Sequence, residues 1–430
     1  MDFYTSAVKY GNNILYRGLE NGHRVKLKIE YSPTLYIPTK GQSNWKTLDG
    51  EFLDPVKFFS INEARDYIER YKGVHNFKIY GNRAYAYSFI ADEFSGVIDW
   101  DIDNIAIDYL DIETGSKNGF PDPYKAEEPI TAITVIRSNG HPITFSCGKY
   151  ETKDQETYIN CVSEVDLCQR FLSYWENNCP DILTGWNTRY FDIPYLYNRF
   201  TILLGEKEAK KLSPWGLVNI KRTFQKTTGK ELVSYDLVGI GHLDYIELYK
   251  KFAKGGNSQE NYKLDTIAFV ELKQKKVSFE EHDNLQKLYE NDFQKFIEYN
   301  IQDVKIIQAL EDKLKLIELA LTLAYDSKSN YEDVFTQTRM WDALIYNYLL
   351  EKHIIVPPKE DNYKDEAFDG AYVKDPQIGM HNNIASFDLN SLYPNLMIQY
   401  SISPENLVER SYISQRKELL MIELNKRNHK

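Results

Sequence analysis

Ile105-Ala-Ile-Asp-Tyr-Leu-Asp111-Ile-Glu113-Thr114 is rich in β-prone residues and reads as a strand over Ile105 to Ile112. Its two acids, Asp111 and Glu113, stand two positions apart and so leave the same face of a sheet. Outward from this run the chain alternates between strand and helix signals. A second strand is expected over Ile130 to Arg137, then a helix around Glu164 to Glu176, a short strand over Ile182 to Thr184, and a helix after Asp192. That alternation predicts an α/β layer around a central sheet.

Before it, residues 1 to about 104 alternate apolar and polar positions in short runs (Asn13 to Tyr16, Val25 to Ile29, Leu35 to Ile37) broken by Gly and Asn, as a small mixed domain would. After it, two β-prone runs flank Thr-Thr-Gly229-Lys and predict a long hairpin over about 218–235. From Asp292 to about Leu323 the spacing of Phe296, Ile297, Ile301, Val304, Ile307 and Leu310 is helical, which sets Tyr299 and Asp303 one turn apart on one face. A helix over Thr338 to Leu350 leads to Val356-Pro-Pro, a linker, and strand-like runs at Ala371 to Lys374 and Ile384 to Leu389 open a further domain.

A chain of 430 residues exceeds one compact core, so two to four domains are expected, and 42% hydrophobic with 27% charged residues is a globular balance. The net charge of −11 gives no overall basic footprint for nucleic acid, although metal-binding carboxylates and local basic patches fit inside an acidic total. Cys147, Cys161, Cys168 and Cys179 form no Cys-x-x-Cys pair and read as free thiols in a reducing compartment. Met-Asp-Phe-Tyr-Thr at the start lacks the pattern of a signal peptide, and the longest apolar stretch, near Leu316 to Tyr325, contains Glu318 and is too short to span a bilayer. A cytoplasmic location, with no membrane partner, is the expectation.

Four acids from three elements, Asp111 and Glu113, Asp192 beside Pro194, and Asp303, are candidates to converge. Two carboxylates about 4 Å apart repel by roughly 4 kcal/mol at an effective dielectric near 20, so the set calls for cations. Oxygen ligands without Cys or His select Mg²⁺ or Mn²⁺. A pair of such ions is what a phosphodiester nuclease uses to activate water and stabilise the leaving oxygen. Tyr299 is placed to orient that water, and no histidine base stands nearby. Each fragment alone is commonplace. Asp-Ile-Glu describes many polar sheet edges, Tyr-x-x-x-Asp many helix faces, and Asp192 alone a helix cap. The specificity lies in the ordered set, with Leu183-Thr-Gly-Trp-Asn187 preceding Asp192-Ile-Pro-Tyr between the other two motifs.

These motifs resemble the three exonuclease motifs of family B DNA polymerases, of the kind with tyrosine in the third, and the chain is similar to the first half of such a polymerase from T-even bacteriophages. The resemblance implies a ribonuclease-H-like 3′→5′ proofreading exonuclease holding two Mg²⁺ or Mn²⁺ ions at Asp111, Glu113, Asp192 and Asp303. By the same resemblance Asn187 and Phe191 contact the single-stranded primer 3′ end, and the hairpin around Gly229 helps to move the primer between sites. It divides the chain into an N-terminal domain (1–104), the exonuclease (105–314), a return to the N-terminal domain (315–358) and a partial polymerase palm (359–430). The fold class expected is therefore a mixed α/β, multidomain chain.

Ile384-Ala-Ser-Phe-Asp388-Leu389-Asn-Ser391-Leu392-Tyr393-Pro resembles the family's first polymerase motif. An isolated Asp-Leu at a strand end is otherwise an ordinary solvated turn; here Asp388 would hold a metal and residues 389 and 391–393 an incoming dNTP, with Tyr393 excluding a ribose 2′ hydroxyl. Phe368-Asp-Gly-Ala-Tyr-Val-Lys374 resembles the Tyr-x-Gly-Gly region near the template, with one glycine in place of two. Neither the family's Asp-Thr-Asp nor its Lys-x-x-x-Asn-Ser-x-Tyr-Gly string occurs in these residues, and one aspartate cannot hold two metals. Polymerisation on a DNA primer-template is thus expected only with a second polypeptide supplying fingers, the remaining palm and thumb. Gln415-Arg-Lys-Glu begins a helix with Leu419, Leu420, Met421 and Leu424 on it, either a surface helix or an entry to the fingers. A stand-alone 3′→5′ exonuclease and a non-catalytic nucleic-acid-binding piece are the competing readings.

Overall fold

The computed structural model describes residues 2–75, 77–117, 119–153, 155–224, 229, 231–254, 259–274, 284–357, 370, 372–403 and 406. The chain divides into two compact units, Met1–Glu360 and Asp361–Lys430.

The first unit opens with an antiparallel meander of β1 (Phe3–Tyr10), β2 (Asn13–Glu20) and β3 (His23–Glu30). Next come β4 (Thr34–Pro38), β5 (Trp45–Thr47) and β6 (Phe52–Lys57), then the helices α1 (Ile61–Tyr71) and α2 (Tyr85–Glu93). Ser60 caps α1 by accepting the Glu63 N–H, and Ile61, Ala64 and Ile68 form its buried stripe.

The central sheet runs in the order β10-β9-β8-β7-β11-β14 and is mixed. Its strands are β7 (Ile107–Thr114), β8 (Ile130–Arg137), β9 (Pro142–Ser146), β10 (Thr157–Asn160), β11 (Ile182–Thr184) and, after the hairpin β12 (Val218–Phe224) and β13 (Glu231–Leu237), β14 (Gly241–His242). β7 pairs antiparallel with β8 and parallel with β11. Helices α3 (Glu164–Asn177) and α4 (Asp192–Leu204) share one apolar cluster with Leu110, Ile112, Val135, Phe145 and Leu183. A short α5 (Glu206–Ala209) precedes the hairpin, and α6 (Tyr245–Phe252), α7 (Leu264–Leu272), α8 (Leu285–Asn291) and α9 (Phe293–Leu314) follow it. Phe296, Ile297 and Ile301 of α9 pack with Ala132 of β8. Because Leu110 and Ile112 face the α3/α4 layer, the alternating Asp111 and Glu113 face the α9 side.

One long helix over Asp292 to Leu323 was expected; the structure breaks it into α9 and α10 (Leu316–Ser327), with Lys315 left-handed between them (φ 56°). The buried Glu311 explains the break. Its carboxylate accepts the N–H groups of Ile317 (3.0 Å) and Glu318 (3.3 Å), capping the first turn of α10 in place of a continued ladder. Helix α11 (Gln337–Glu351) and β15 (Ile354–Ile355) complete the unit, β15 pairing parallel with β5 to close a sheet of order β15-β5-β6-β4.

In the second unit the expected strand over Ile384 to Leu389 is irregular backbone, and α12 (Leu392–Gln399) is the regular element among the described residues. A strand needs a neighbour to take its N–H and C=O groups, and none stands beside these residues among those described. The expected strand at Ala371 to Lys374 falls partly outside the described residues, and over 372–374 the backbone is irregular. The motif from Phe368 to Lys374 is partly, and the helix from Ser414 wholly, outside the described residues.

Candidate active site

Asp111, Glu113 and Asp303 meet. Carboxylate oxygens of all three lie within 4.8 Å of one another, Glu113 and Asp303 being buried and Asp111 half-buried. β7 supplies two of them from one face and α9, laid across that face, supplies the third.

Asn300, on the same side of α9, donates from Nδ2 to Asp111 Oδ2 at 2.7 Å. Its own Oδ1 accepts from Thr134, whose hydroxyl lies 2.8 Å from that of Thr144. A chain of buried hydrogen bonds across β8 and β9 thus sets the Asp111 carboxylate. Sequence reasoning missed Asn300, yet a signal exists: it is a polar residue inside the apolar stripe of α9, four places after Phe296.

Asp192 was expected to join the other acids directly. It lies instead beside them, with Oδ1 accepting the Ile112 N–H at 3.0 Å, between Asp111 and Glu113 in sequence. β11 reaches along β7 only to Tyr109, so the Ile112 N–H beyond its end has no strand partner on that side, and Asp192 takes it. Burial, with Asp244 as a further negative neighbour, pushes the Asp192 carboxyl up to about 7.

The loop delivering Asp192 is tightly specified. At Gly185 an added Cβ would stand 2.3 Å from Thr188 Cγ2 and 2.4 Å from Leu110 O, so only glycine fits between β7 and the loop. Asn187 is left-handed (φ 70°), and its carbonyl accepts from Tyr190 (3.2 Å) and Phe191 (3.1 Å). The fully buried Asp244, which also caps α6, accepts the backbone N–H of Asn187 at 3.0 Å and of Arg189 at 2.9 Å. Burial pushes its carboxyl up to about 6. Thr188 Oγ1 lies 2.9 Å from Nε2 of buried His242, which burial holds neutral, well below the usual imidazole range. Arg189 pairs through Nε with Glu247 at 2.8 Å.

Phe191 ends this loop. Its ring stands 5.7 Å from Tyr195 and 5.6 Å from Phe120, a largely exposed phenylalanine that sequence reasoning did not single out. Tyr299 is half-buried on α9, one turn before Asp303. The hairpin pairs from Val218↔Leu237 to Phe224↔Glu231, and Gly229 beyond it is exposed with φ 65°. In the second unit Asp388, Leu389, Ser391, Leu392 and Tyr393 are all exposed, and Ser391 (φ 50°) precedes α12.

Residues 74–267 match the family model described as DNA polymerase family B, exonuclease domain, and residues 334–428 match that of DNA polymerase family B. The chain belongs to DNA polymerase family B, and the mixed sheet carrying the acids is its ribonuclease-H-like exonuclease fold. It is 34% identical over 435 residues to the DNA-directed DNA polymerase of Enterobacteria phage T4, covering 94% of this chain and 47% of that protein. To the DNA-directed DNA polymerase of Escherichia phage RB69 it is 30% identical over 436 residues, with the same coverage of 94% and 47%. The DNA polymerase delta catalytic subunit of Caenorhabditis elegans is 26% identical over 334 residues, covering 71% of this chain and 30% of that protein. The chain thus spans about half the length of the phage relatives it matches. Among the described residues no helix is long and apolar enough to cross a membrane.

Proposed function

We propose that the first unit is a metal-dependent 3′→5′ exonuclease acting on the single-stranded 3′ end of a DNA primer. The observation carrying this reading is the gathering of Asp111, Glu113 and Asp303 within 4.8 Å. Three carboxylates so close are stable together only with protons or cations, and an all-oxygen donor set fits Mg²⁺ or Mn²⁺. Asp111, Glu113 and Asp303, with Asp192 beside them, would hold two such ions. When bound, the ions supply a lowered pKa for water and a counter-charge for the leaving oxygen.

The protein's own residues do the rest. Asn300 holds Asp111 in its rotamer. Tyr299 orients the attacking water through its hydroxyl. Asn187 and Phe191, joined by Phe120, receive the last bases of the strand, the two phenylalanine rings offering stacking faces. The hairpin near Gly229 guides the strand towards or away from this site. The test is incubation of the purified chain with Mg²⁺ and 5′-labelled single-stranded DNA beside Asp111→Ala. Stepwise release of mononucleotides, lost in the variant, is expected. Equal rates in both would end the assignment.

Asp388 and residues 389 and 391–393 we assign to one half of a polymerase site, where Asp388 would hold a metal and Tyr393 would gate the sugar of a dNTP. The phage relatives are DNA-directed DNA polymerases, and the polymerase family model reaches this segment. These 430 residues hold no Asp-Thr-Asp string, so polymerisation needs residues beyond them, on a continuation of this chain or on a second polypeptide bearing fingers, the remaining palm and thumb. Host cytoplasm is the location this reading implies. Primer extension that appears only when such a polypeptide is mixed with this one supports complementation; no extension counts against it.

A further inference from the structure

We propose that Cys147 and Cys161 form a redox-modification site, a dithiol that closes into a disulfide and staples the loop gripping α9. β9 and β10 pair in parallel with Asn160 opposite Ser146, and the Cys161 N–H continues the ladder to Ser146 O at 2.9 Å. One step further along the same register, just past the ends of β9 and β10, would set Cys161 opposite Cys147. Neighbouring strands lie about 4.8 Å apart, inside the Cα separation of about 4.4 to 6.8 Å that a disulfide bridges. Both side chains continue the faces of Phe145 and Ile159 and pack into the same apolar cluster, beneath α3. Cys168 of α3 faces that cluster too and is wholly buried, whereas Cys147 is half-exposed and open to a reagent.

The segment between the two thiols touches the helix that carries Tyr299 and Asp303. An added Cβ at Gly148 would lie 2.6 Å from the Phe293 ring, so the loop backbone rests on the start of α9. Glu151 exchanges two hydrogen bonds with Gln294, each 3.0 Å. Lys153 pairs with Glu298 at 2.5 Å and Glu156 with Lys305 at 2.8 Å. Those helix residues flank Tyr299 and Asp303 in sequence, so closing the loop would fix α9 from its outer side.

The oxidant is a small-molecule disulfide. The Cys147 thiolate attacks one sulphur of glutathione disulfide, forming a mixed disulfide and expelling one glutathione thiolate. The Cys161 thiolate then attacks the Cys147 sulphur and expels the second. The two protons released by the protein thiols end on the two glutathiones. Burial raises both thiols, Cys161 to about 11, so closure quickens as the pH rises.

The native chain is treated with oxidised glutathione at alkaline pH, digested and mapped, and its unfolding temperature is read before and after dithiothreitol. Expected are loss of two of the four thiols, a Cys147–Cys161 cross-linked peptide, and a rise of a few degrees that dithiothreitol reverses. Cys168→Ser keeps both effects. Cys161→Ser stops at a glutathione adduct on Cys147 and shows no rise. A persistent glutathione adduct in the unsubstituted chain, a bridge to Cys168, or a bridge without a change in unfolding temperature would each overturn the proposal.

Discussion

At the scale of single residues, the site rests on groups that hold the acids as much as on the acids. Asn300→Ala removes the 2.7 Å donor from Asp111 and leaves the Thr134 hydroxyl without its amide partner. Loss of such an orienting partner weakens metal binding or activity by about 10- to 100-fold. Titrating Mg²⁺ against nuclease rate should show the midpoint moving up by that factor, and an unchanged midpoint would remove Asn300 from the mechanism. Phe120→Ala removes one ring of the pair with Phe191 while touching no carboxylate. Stacking contributes about 1–3 kcal/mol per base, so KM for single-stranded DNA should rise roughly tenfold with kcat little changed. The four acids and Tyr299 were visible as types at fixed spacings. Asn300 and Phe120 were not, because one is an amide in an otherwise apolar stripe and the other an exposed aromatic on a loop, and neither pattern points to chemistry alone.

At the scale of elements, the loop from Gly185 to Asp192 shows what periodicity can and cannot reveal. Its flanks, β11 and α4, follow from residue patterns, but the clamp on its backbone comes from Asp244, more than fifty residues later. No local pattern announces that pairing. The break at Lys315 escaped for a related reason: apolar spacing runs through it, and only the buried Glu311 reveals that two helix ends meet there. Asp192 and Asp244 also make a pH prediction. Burial raises both carboxyls in the folded state, to about 7 and about 6, above the ordinary carboxylate range near 4 of an unfolded chain. Between about pH 4 and 7 these two carboxyls therefore bind more protons in the native state than in the unfolded one, so their contribution to stability falls as pH rises through that window, while neutral His242 opposes part of it below about pH 6.5. In chelator, the unfolding temperature should drop from pH 5 to pH 7.5, and saturating Mg²⁺ should flatten the slope by favouring the ionised acids. A temperature that climbs over the same range in chelator would contradict the burial of these groups.

At the scale of the first unit, the N-terminal meander and the nuclease sheet are tied together by charge as well as by apolar contact. Segmentation into strands and helices was legible in the hydrophobic pattern, but that pattern carries no record of which β2 residue reaches across to the start of β11. Arg17 does so from a buried position: Nη1 donates to Pro180 O at 2.8 Å, and Nη2 lies 3.2 Å from Asp181 Oδ1. Asp181 in turn accepts the Ala106 N–H at 2.9 Å and the Thr5 hydroxyl at 3.2 Å, just where β7 begins, and Arg24 reaches the same carboxylate from a more exposed side. Removing Arg17 takes its guanidinium from Pro180 O, which keeps only the weak Cys179 thiol at 3.7 Å, and from Gly239 O, and leaves a buried carboxylate with only its outer cation. Breaking a buried pair in this way costs about 3 kcal/mol, whereas a pair at the surface would cost well under 1. Arg17→Ala should therefore lower the denaturant midpoint of the first unit clearly, while Lys72→Ala, which removes an exposed pair with Glu69, should leave it in place. Because Ala106 immediately precedes β7, the strand that carries Asp111 and Glu113, and Asp181 precedes its parallel neighbour β11, the same variant should lose nuclease activity on mild warming before its helices melt, as followed by circular dichroism. Equal thermal profiles for activity and helicity would show that the meander and the nuclease sheet unfold as one, with no local weakening at this junction.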